Sequence, residues 1–168
     1  RPVAVAIWER VPVTFALAFC AMLIAVCIGL PLGIWASLRP NTVWDTFAMG
    51  ISLLGLSIPE FLMGLGLVYV FAVVLDWLPS GGYVAFSSDF ADALLHILMP
   101  AFSLGFMQSA LIARMTRSAM LEVLTSDFVR TARAKGLGER MIVLRHVLKN
   151  ALIPMVTVLG PNIPNLLT

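Results

Sequence analysis

The longest uncharged stretch of the sequence runs from Val11 to Leu38 and reads VPVTFALAFCAMLIAVCIGLPLGIWASL. An α-helix needs about 20 consecutive apolar residues to cross the hydrocarbon core of a membrane. This stretch exceeds that length and therefore predicts a transmembrane helix. The composition agrees, because 60% of the residues are hydrophobic and 12% are charged, against roughly 45 to 50% and 25% in soluble globular domains.

Further apolar segments follow in the same pattern. The stretch from Thr46 to Leu75 carries one charge, at Glu60, and the stretch from Ala93 to Ala113 carries none beyond a possible proton on a histidine. After Lys149 the sequence is uncharged to its last residue. These segments predict an all-α, polytopic membrane protein with about three full spans and part of a fourth. Because residue 1 is Arg and the last segment stops within a span, we expect a fragment that is incomplete at both ends.

Two short motifs predict irregularities within the spans. Gly29 and Gly33 are spaced as in the small-residue motif that lets membrane helices approach closely, and Pro31 between them favours a bend. The second span contains Ser57-Ile-Pro-Glu60 near its middle. Proline lacks the N–H that a continuous helix needs, so this motif predicts a kink or break.

The distribution of charge sets the orientation. Eight of the eleven Lys and Arg residues lie between Arg114 and Lys149, whereas the loop from Asp76 to Asp92 contains three Asp and no basic residue. By the positive-inside rule, the 114–149 loop lies in the cytoplasm and the acidic loop lies outside. The turn from Arg39 to Asp45 is then cytoplasmic as well.

The basic loop is longer than a simple connector requires. Ser126 or Asp127 is a suitable N-cap for a short helix through Lys135, and Gly136 stands where a left-handed C-terminal cap would fall. A second helix is predicted from about Glu139. Its apolar face at helical spacing comprises Met141, Leu144, Val147 or Leu148, and Ala151.

Residues 127–160 read DFVRTARAKGLGERMIVLRHVLKNALIPMVTVLG. This stretch resembles the coupling loop of permease subunits in the dipeptide, oligopeptide and nickel family of ABC importers. The upstream segments LGLSIPEFLMGLG, WLPSGGY and LIARMTRSAMLEVL resemble spans and loops of that family in the same order. The resemblance therefore covers essentially the whole chain.

The resemblance implies the type I ABC importer (MetI-like) fold, with residues 1–168 forming a permease domain in a bacterial cytoplasmic (inner) membrane. The expected partners are a second homologous permease subunit, two ABC ATPase subunits, an extracytoplasmic substrate-binding protein and membrane lipid. ATP and Mg²⁺ are expected in the ATPase subunits, and no cofactor is expected in this one. Peptides are the expected substrates, with glutathione and nickel chelates as open alternatives.

The general motif of such importers, EAA followed after three residues by Gly, aligns with residues 130–132 and Gly136, and only Ala132 and Gly136 match literally. The departure indicates the peptide-type subfamily and leaves the ATPase-contacting positions open by several residues. We expect the contacts within this set: Asp127, Arg130, Thr131, Ala132, Arg133, Ala134, Lys135, Gly136 and Leu137. The small side chains would fit a groove in the ATPase, and the basic ones would pair either with its acidic groups or with anionic lipid.

Glu60 is the one acid within a predicted span, where an ionised carboxylate costs about 2.5 to 3.5 kcal/mol. Either it lines a substrate pathway, together with Ser57, Pro59 and Gln108, or it caps the broken helix by accepting hydrogen bonds from freed backbone N–H groups. Both interpretations stay open. His96 has no second ligand at suitable spacing, so no metal site is predicted.

The sequence contains no P-loop, nucleophile elbow, zinc motif or aromatic-basic nucleic-acid surface, so we predict a non-catalytic subunit without a nucleic-acid partner. Two other functions remain as alternatives. In an ion-coupled secondary transporter, Glu60 would carry a proton. In a non-transporting scaffold, the basic loop would recruit soluble proteins.

Overall fold

The computed structural model describes residues 3–82, 84 and 88–152, with side chains from Arg10 onwards. Every regular element in this part of the chain is helical: α1 (Val3–Leu38), α2 (Val43–Ser57), α3 (Glu60–Leu67), α4 (Phe90–Leu124), α5 (Asp127–Ala134) and α6 (Glu139–Met141). α3 continues as a π-helix, Val68–Val74, and α6 as another, Ile142–Val147, followed by α-helix at residues 148–152. Most of the predicted fourth span falls on residues 153–168 and lies outside the described residues.

Among the described residues, two helices are long and apolar enough to cross a membrane. They are Arg10–Leu38, with a mean hydropathy of 2.6, and α4, with a mean hydropathy of 1.5. α2 and α3 pass the same test only as a pair, bent by 97° at the break between them. The count agrees with the prediction of about three spans if this bent pair is one of them.

The predicted break in the second span is confirmed. Ile58 has extended backbone angles, φ −86° and ψ 120°, and ends α2, while Pro59 precedes the first residue of α3. A proline disfavours the helical conformation of the residue before it, which accounts for the change of direction at this point. The predicted bend at Pro31 does not interrupt the helix, because α1 continues through this residue.

α1 and α4 form the centre of the bundle and run in the same direction. Gly29 of α1 lies against Ser109 and Ile112, and Gly33 lies one turn further along, against Ala113 and Thr116 of α4. Because residue numbers increase in the same direction along both helices, the helices are parallel. The predicted close approach at the two glycines is therefore present.

The parallel arrangement sets the two ends of the bundle. It places the turn between α1 and α2 at the same end as α5, with α2 and α3 leading back to the connection before α4. This is the arrangement that the charge pattern predicts. We call the end that carries α5 the cytoplasmic end.

The predicted limits of the basic loop need correction. α4 does not end at Ala113 but continues to Leu124, so residues 114–124 are helix rather than loop. Charged residues such as Arg114 mark the side of the membrane but leave the backbone hydrogen bonds of a helix intact. The non-helical link between α4 and α5 consists of Thr125 and Ser126 alone.

Candidate functional site

α5 is an amphipathic helix that packs on the cytoplasmic end of the bundle. Val129 and Ala132 are 0% and 8% exposed, and they form one side of a group of buried residues. We call this group the cytoplasmic cluster; its members are Met120, Val129, Ala132, Ile142, Val143, Val147 and Ala151. The cluster joins α4, α5 and the helix that follows, so α5 is held by apolar packing on one face.

The predicted helix boundaries of α5 are confirmed within one residue. The helix begins at Asp127 and ends at Ala134, with Lys135 as its C-cap. Ser126 is the N-cap residue but makes no side-chain cap; its hydroxyl donates instead to the carbonyl of Val123 at 2.5 Å.

Gly136 ends α5 in the conformation that the sequence predicts. Its φ is +78°, in the left-handed region that glycine adopts without steric cost. The Gly136 N–H donates to the Arg133 carbonyl at 2.9 Å, and the Leu137 N–H donates to the Ala132 carbonyl at 3.2 Å. This pair of bonds is the Schellman motif, which satisfies the last carbonyls of a helix while reversing the chain.

An ion pair closes the turn after α5. Arg133 Nε donates to Glu139 Oε1 at 2.6 Å, and Arg133 Nη2 donates to Glu139 Oε2 at 3.3 Å. These hydrogen bonds lower the pKa of Glu139 and raise the pKa of Arg133 relative to their ordinary values. Both side chains are solvated, so the pair orients the turn more than it stabilises the fold.

The outer face of α5 and its turn carries most of the predicted coupling residues. The exposed ones are Asp127, Arg130, Thr131, Arg133, Ala134, Lys135, Gly136 and Leu137. Ala132 is the exception, because it packs into the cytoplasmic cluster and its methyl group does not reach the outer face. Phe128, which the sequence analysis did not select, is 45% exposed and adds an apolar side chain to the exposed surface of α5.

The basic residues on this face differ in whether they already form an ion pair. Arg133 is engaged by Glu139, and Arg130 lies 3.5 Å from Asp127 with both side chains largely exposed. Lys135 makes no ion pair with any described residue. Lys135 is therefore free for an acidic partner, and Arg130 is accessible to one that competes with Asp127.

The predicted apolar face of the helix after the turn is partly wrong. Val147 and Ala151 are buried as expected, but Met141 and Leu144 are 49% and 67% exposed. Ile142 and Val143 face the cluster instead, in the segment Ile142–Val147 that forms the π-helix.

An ion pair with a buried carboxylate, at the cytoplasmic end, was missed by the sequence analysis. Asp45, in the first turn of α2, is 3% exposed. Arg117 of α4 donates to both of its oxygens, from Nε to Oδ1 at 2.6 Å and from Nη2 to Oδ2 at 2.7 Å. The N–H of Asn41 donates to Oδ2 at 2.9 Å, and Thr42 caps α2 by accepting from the Asp45 N–H at 3.4 Å. The sequence feature that could have indicated this site is the capping-box pattern of Thr42 and Asp45, on the side of the membrane that is rich in arginine.

The predicted pathway residues lie at the break between α2 and α3. Ser57 is exposed, and its hydroxyl donates to the carbonyl of Leu53 at 2.8 Å. Pro59 and Glu60 are also exposed. No hydrogen bond joins the Glu60 carboxylate to a backbone N–H in the described residues, so the capping interpretation of Glu60 receives no support.

α4 holds the break in place from the other side. Ser103 Oγ donates to the Glu60 carbonyl at 2.7 Å. Gln108 lies five residues beyond Ser103, which at about 100° per residue turns it roughly 140° away around α4. The structure therefore brings Ser57, Pro59 and Glu60 together but does not bring Gln108 to them.

These features define a helical membrane protein with a bent span and a short amphipathic helix docked at its cytoplasmic end. The profile of a family described as binding-protein-dependent transport system inner membrane component matches residues 29–168. The chain belongs to this family, and its apolar helices agree with the inner-membrane location that the family's description gives.

Similar proteins carry consistent names. The chain is 43% identical over 157 residues to the oligopeptide transport system permease protein OppB of Escherichia coli (strain K12), covering 94% of this chain and 49% of that protein. It is 41% identical over 160 residues to a putative peptide transport system permease protein of Brucella abortus (strain 2308), covering 95% and 51%. The chain thus spans about half the length of these relatives.

A solved structure shows the same fold. A chain of the MetNI methionine ABC transporter, in a study of its inward-facing conformations, superposes with a TM-score of 0.64 at 23% sequence identity. The superposition covers 92% of this chain and 66% of that chain. The MetI-like fold predicted from the sequence is therefore confirmed.

Proposed function

We propose that this chain is part of a permease subunit of an ATP-driven ABC importer for peptides, and that α5 couples it to an ATPase subunit. The observation that carries the proposal is the two-sided character of α5. One face is locked into the cytoplasmic cluster, while the other presents Phe128, Leu137 and free basic groups away from the bundle. A helix built in this way fits into a partner's groove and transmits the partner's movement to the membrane helices.

The names of the relatives support peptides as the proposed substrate class. Those 41 to 44% identical to this chain are named peptide or oligopeptide permeases, which favours peptides over glutathione or nickel chelates. In the proposed complex a second permease completes the pathway, two ATPases bind ATP and Mg²⁺, and an extracytoplasmic protein delivers the substrate. This subunit then has no chemical step of its own.

The direct test uses the full-length permease with its second permease, ATPases and binding protein in proteoliposomes. ATP-dependent uptake of a labelled peptide, lost when the binding protein is omitted, is the expected result. Uptake driven by a proton gradient without ATP would contradict the proposal and favour the secondary transporter.

Two glycines allow a matched test of α5 itself. A Cβ at either Gly136 or Gly138 meets no atom within 4 Å, but Gly136 has a φ of +78° and Gly138 a φ of −65°. Ala at Gly136 is therefore strained by about 1 to 2 kcal/mol, whereas Ala at Gly138 is not. Gly136→Ala is expected to lower substrate-stimulated ATP hydrolysis and uptake about fivefold or more, with normal membrane insertion. Equal activities of Gly136→Ala and Gly138→Ala would contradict a role for the turn.

Glu60→Gln separates the two transport mechanisms. Gln keeps the shape of Glu and its capacity for hydrogen bonds but cannot carry a proton. Most of the ATP-driven uptake is expected to remain in this variant, as it should in the matched variant Glu122→Gln at the exposed end of α4. Loss of uptake in Glu60→Gln alone, with normal ATPase association, would show that the Glu60 carboxylate acts in the pathway.

A further inference from the structure

Within the part of the chain that the structure describes, α2 and α3 pack along α4, and the one ion pair between them lies at the cytoplasmic end. At the break Ser103 Oγ donates a hydrogen bond to the Glu60 carbonyl, and in the middle Gly55 packs closely against aromatic and methyl groups. At the cytoplasmic end the attachment is the pair of Asp45 and Arg117. This last attachment lies nearest to α5.

The Asp45–Arg117 pair fixes orientation as well as distance. Two N–H groups of one planar guanidinium meet the two oxygens of one carboxylate, at 2.6 and 2.7 Å. Such a bidentate arrangement resists rotation of either partner, unlike a single hydrogen bond. The Asn41 N–H holds the same carboxylate from the turn before α2, with Asn41 at a left-handed φ of 60°. The first turn of α2 is thus held at a set angle to α4.

The pair is also joined to α5 through the cytoplasmic cluster. Arg117 lies one helical turn before Met120, which is 0% exposed and belongs to the same cluster as Val129 of α5. The link between α4 and α5 is only two residues long. A displacement of α5 therefore displaces the end of α4 that carries Arg117.

We propose that the Asp45–Arg117 pair is a positioning element that carries movement of α5 into α2 and so to the bend before Glu60. This inference rests on the proposed function of α5. Bidentate pairing at a nearly buried carboxylate adds little net stability compared with apolar packing, but it sets geometry. Neither Asp45 nor Arg117 touches substrate in this scheme, because both act through the helices that they join.

The test replaces the planar guanidinium of Arg117 without removing its positive charge. Arg117→Lys keeps a cation beside Asp45 but cannot form the two parallel hydrogen bonds. Arg114→Lys is the matched control, because Arg114 lies one turn earlier on α4, is exposed and makes no ion pair with a described residue. In the complete reconstituted complex, peptide molecules transported per ATP hydrolysed and the melting temperature are measured for both variants.

Arg117→Lys is expected to lower the transport per ATP at least about fivefold, the lower end of usual coupling effects, while ATP hydrolysis continues. Arg114→Lys should keep the wild-type ratio. Asp45→Asn provides a second variant, and its combination with Arg117→Lys should lower the ratio no further than either change alone, since both remove one interaction.

Equal ratios in Arg117→Lys and Arg114→Lys would overturn the inference and leave the proposed function intact. A loss of uptake that merely follows a lower yield of folded complex, at an unchanged ratio, would also overturn it and assign the pair a structural role. If the wild-type complex shows no ATP-dependent uptake, the proposed function fails first and the inference fails with it.

Discussion

Gly33→Leu is expected to lower the stability of the subunit strongly, because α1 and α4 can no longer approach each other as closely. A Cβ placed on Gly33 lies 2.5 Å from the carbonyl oxygen of Ala113 and 2.7 Å from Cβ of Thr116. Neither contact is with the far end of a flexible side chain, so relief requires separation of the two helix backbones. Overpacking of this kind costs about 1 to 3 kcal/mol, and more where the backbone has to move.

Gly50→Leu is the matched control for this prediction. Gly50 is an exposed helical glycine with no atom within 4 Å of an added Cβ. Both substitutions remove a glycine from a helix, so both raise intrinsic helix propensity by a similar amount. The melting temperature of the purified full-length subunit in detergent is the measurement. Comparable values for the two variants would show that the contact at Gly33 is not needed.

Val129→Asp is expected to detach α5 from the bundle. Val129 is 0% exposed within the cytoplasmic cluster, where a carboxylate would be removed from water and placed among apolar side chains. Burial of such a group costs several kcal/mol, so the helix should leave the cluster rather than accept the charge. The transmembrane helices should still insert, because each satisfies its own backbone hydrogen bonds. Association with the ATPase should therefore be lost while the permease remains in the membrane.

Thr131→Asp gives the comparison on the same helix. Threonine and valine have the same shape and similar helix propensity, but Thr131 is exposed. The two variants therefore introduce the same charge on opposite faces of α5. Limited proteolysis within α5 is the measurement, with rapid cleavage expected for Val129→Asp and near wild-type protection for Thr131→Asp. Equal protection in both would show that Val129 does not anchor the helix.

The sequence determined the class of fold and the location of the irregularities. Apolar length alone predicted the spans, since crossing a membrane requires every backbone group to be paired within a helix. The break at Pro59 and the left-handed turn at Gly136 were also predicted, because proline and glycine act on the local backbone. The charge asymmetry predicted which loops share an end of the bundle.

Tertiary structure alone decided which side chains meet. Nothing in the sequence pairs Asp45 with Arg117, because 72 residues separate them and only the parallel packing of α1 and α4 places their turns side by side. Ala132 could not be assigned to the inner face of α5 by residue type, since a small side chain suits a partner's groove and a packed core equally well. Met141 and Leu144 were misplaced because this segment carries apolar residues on more than one face, and only packing decided that Val143, Val147 and Ala151 face the cluster.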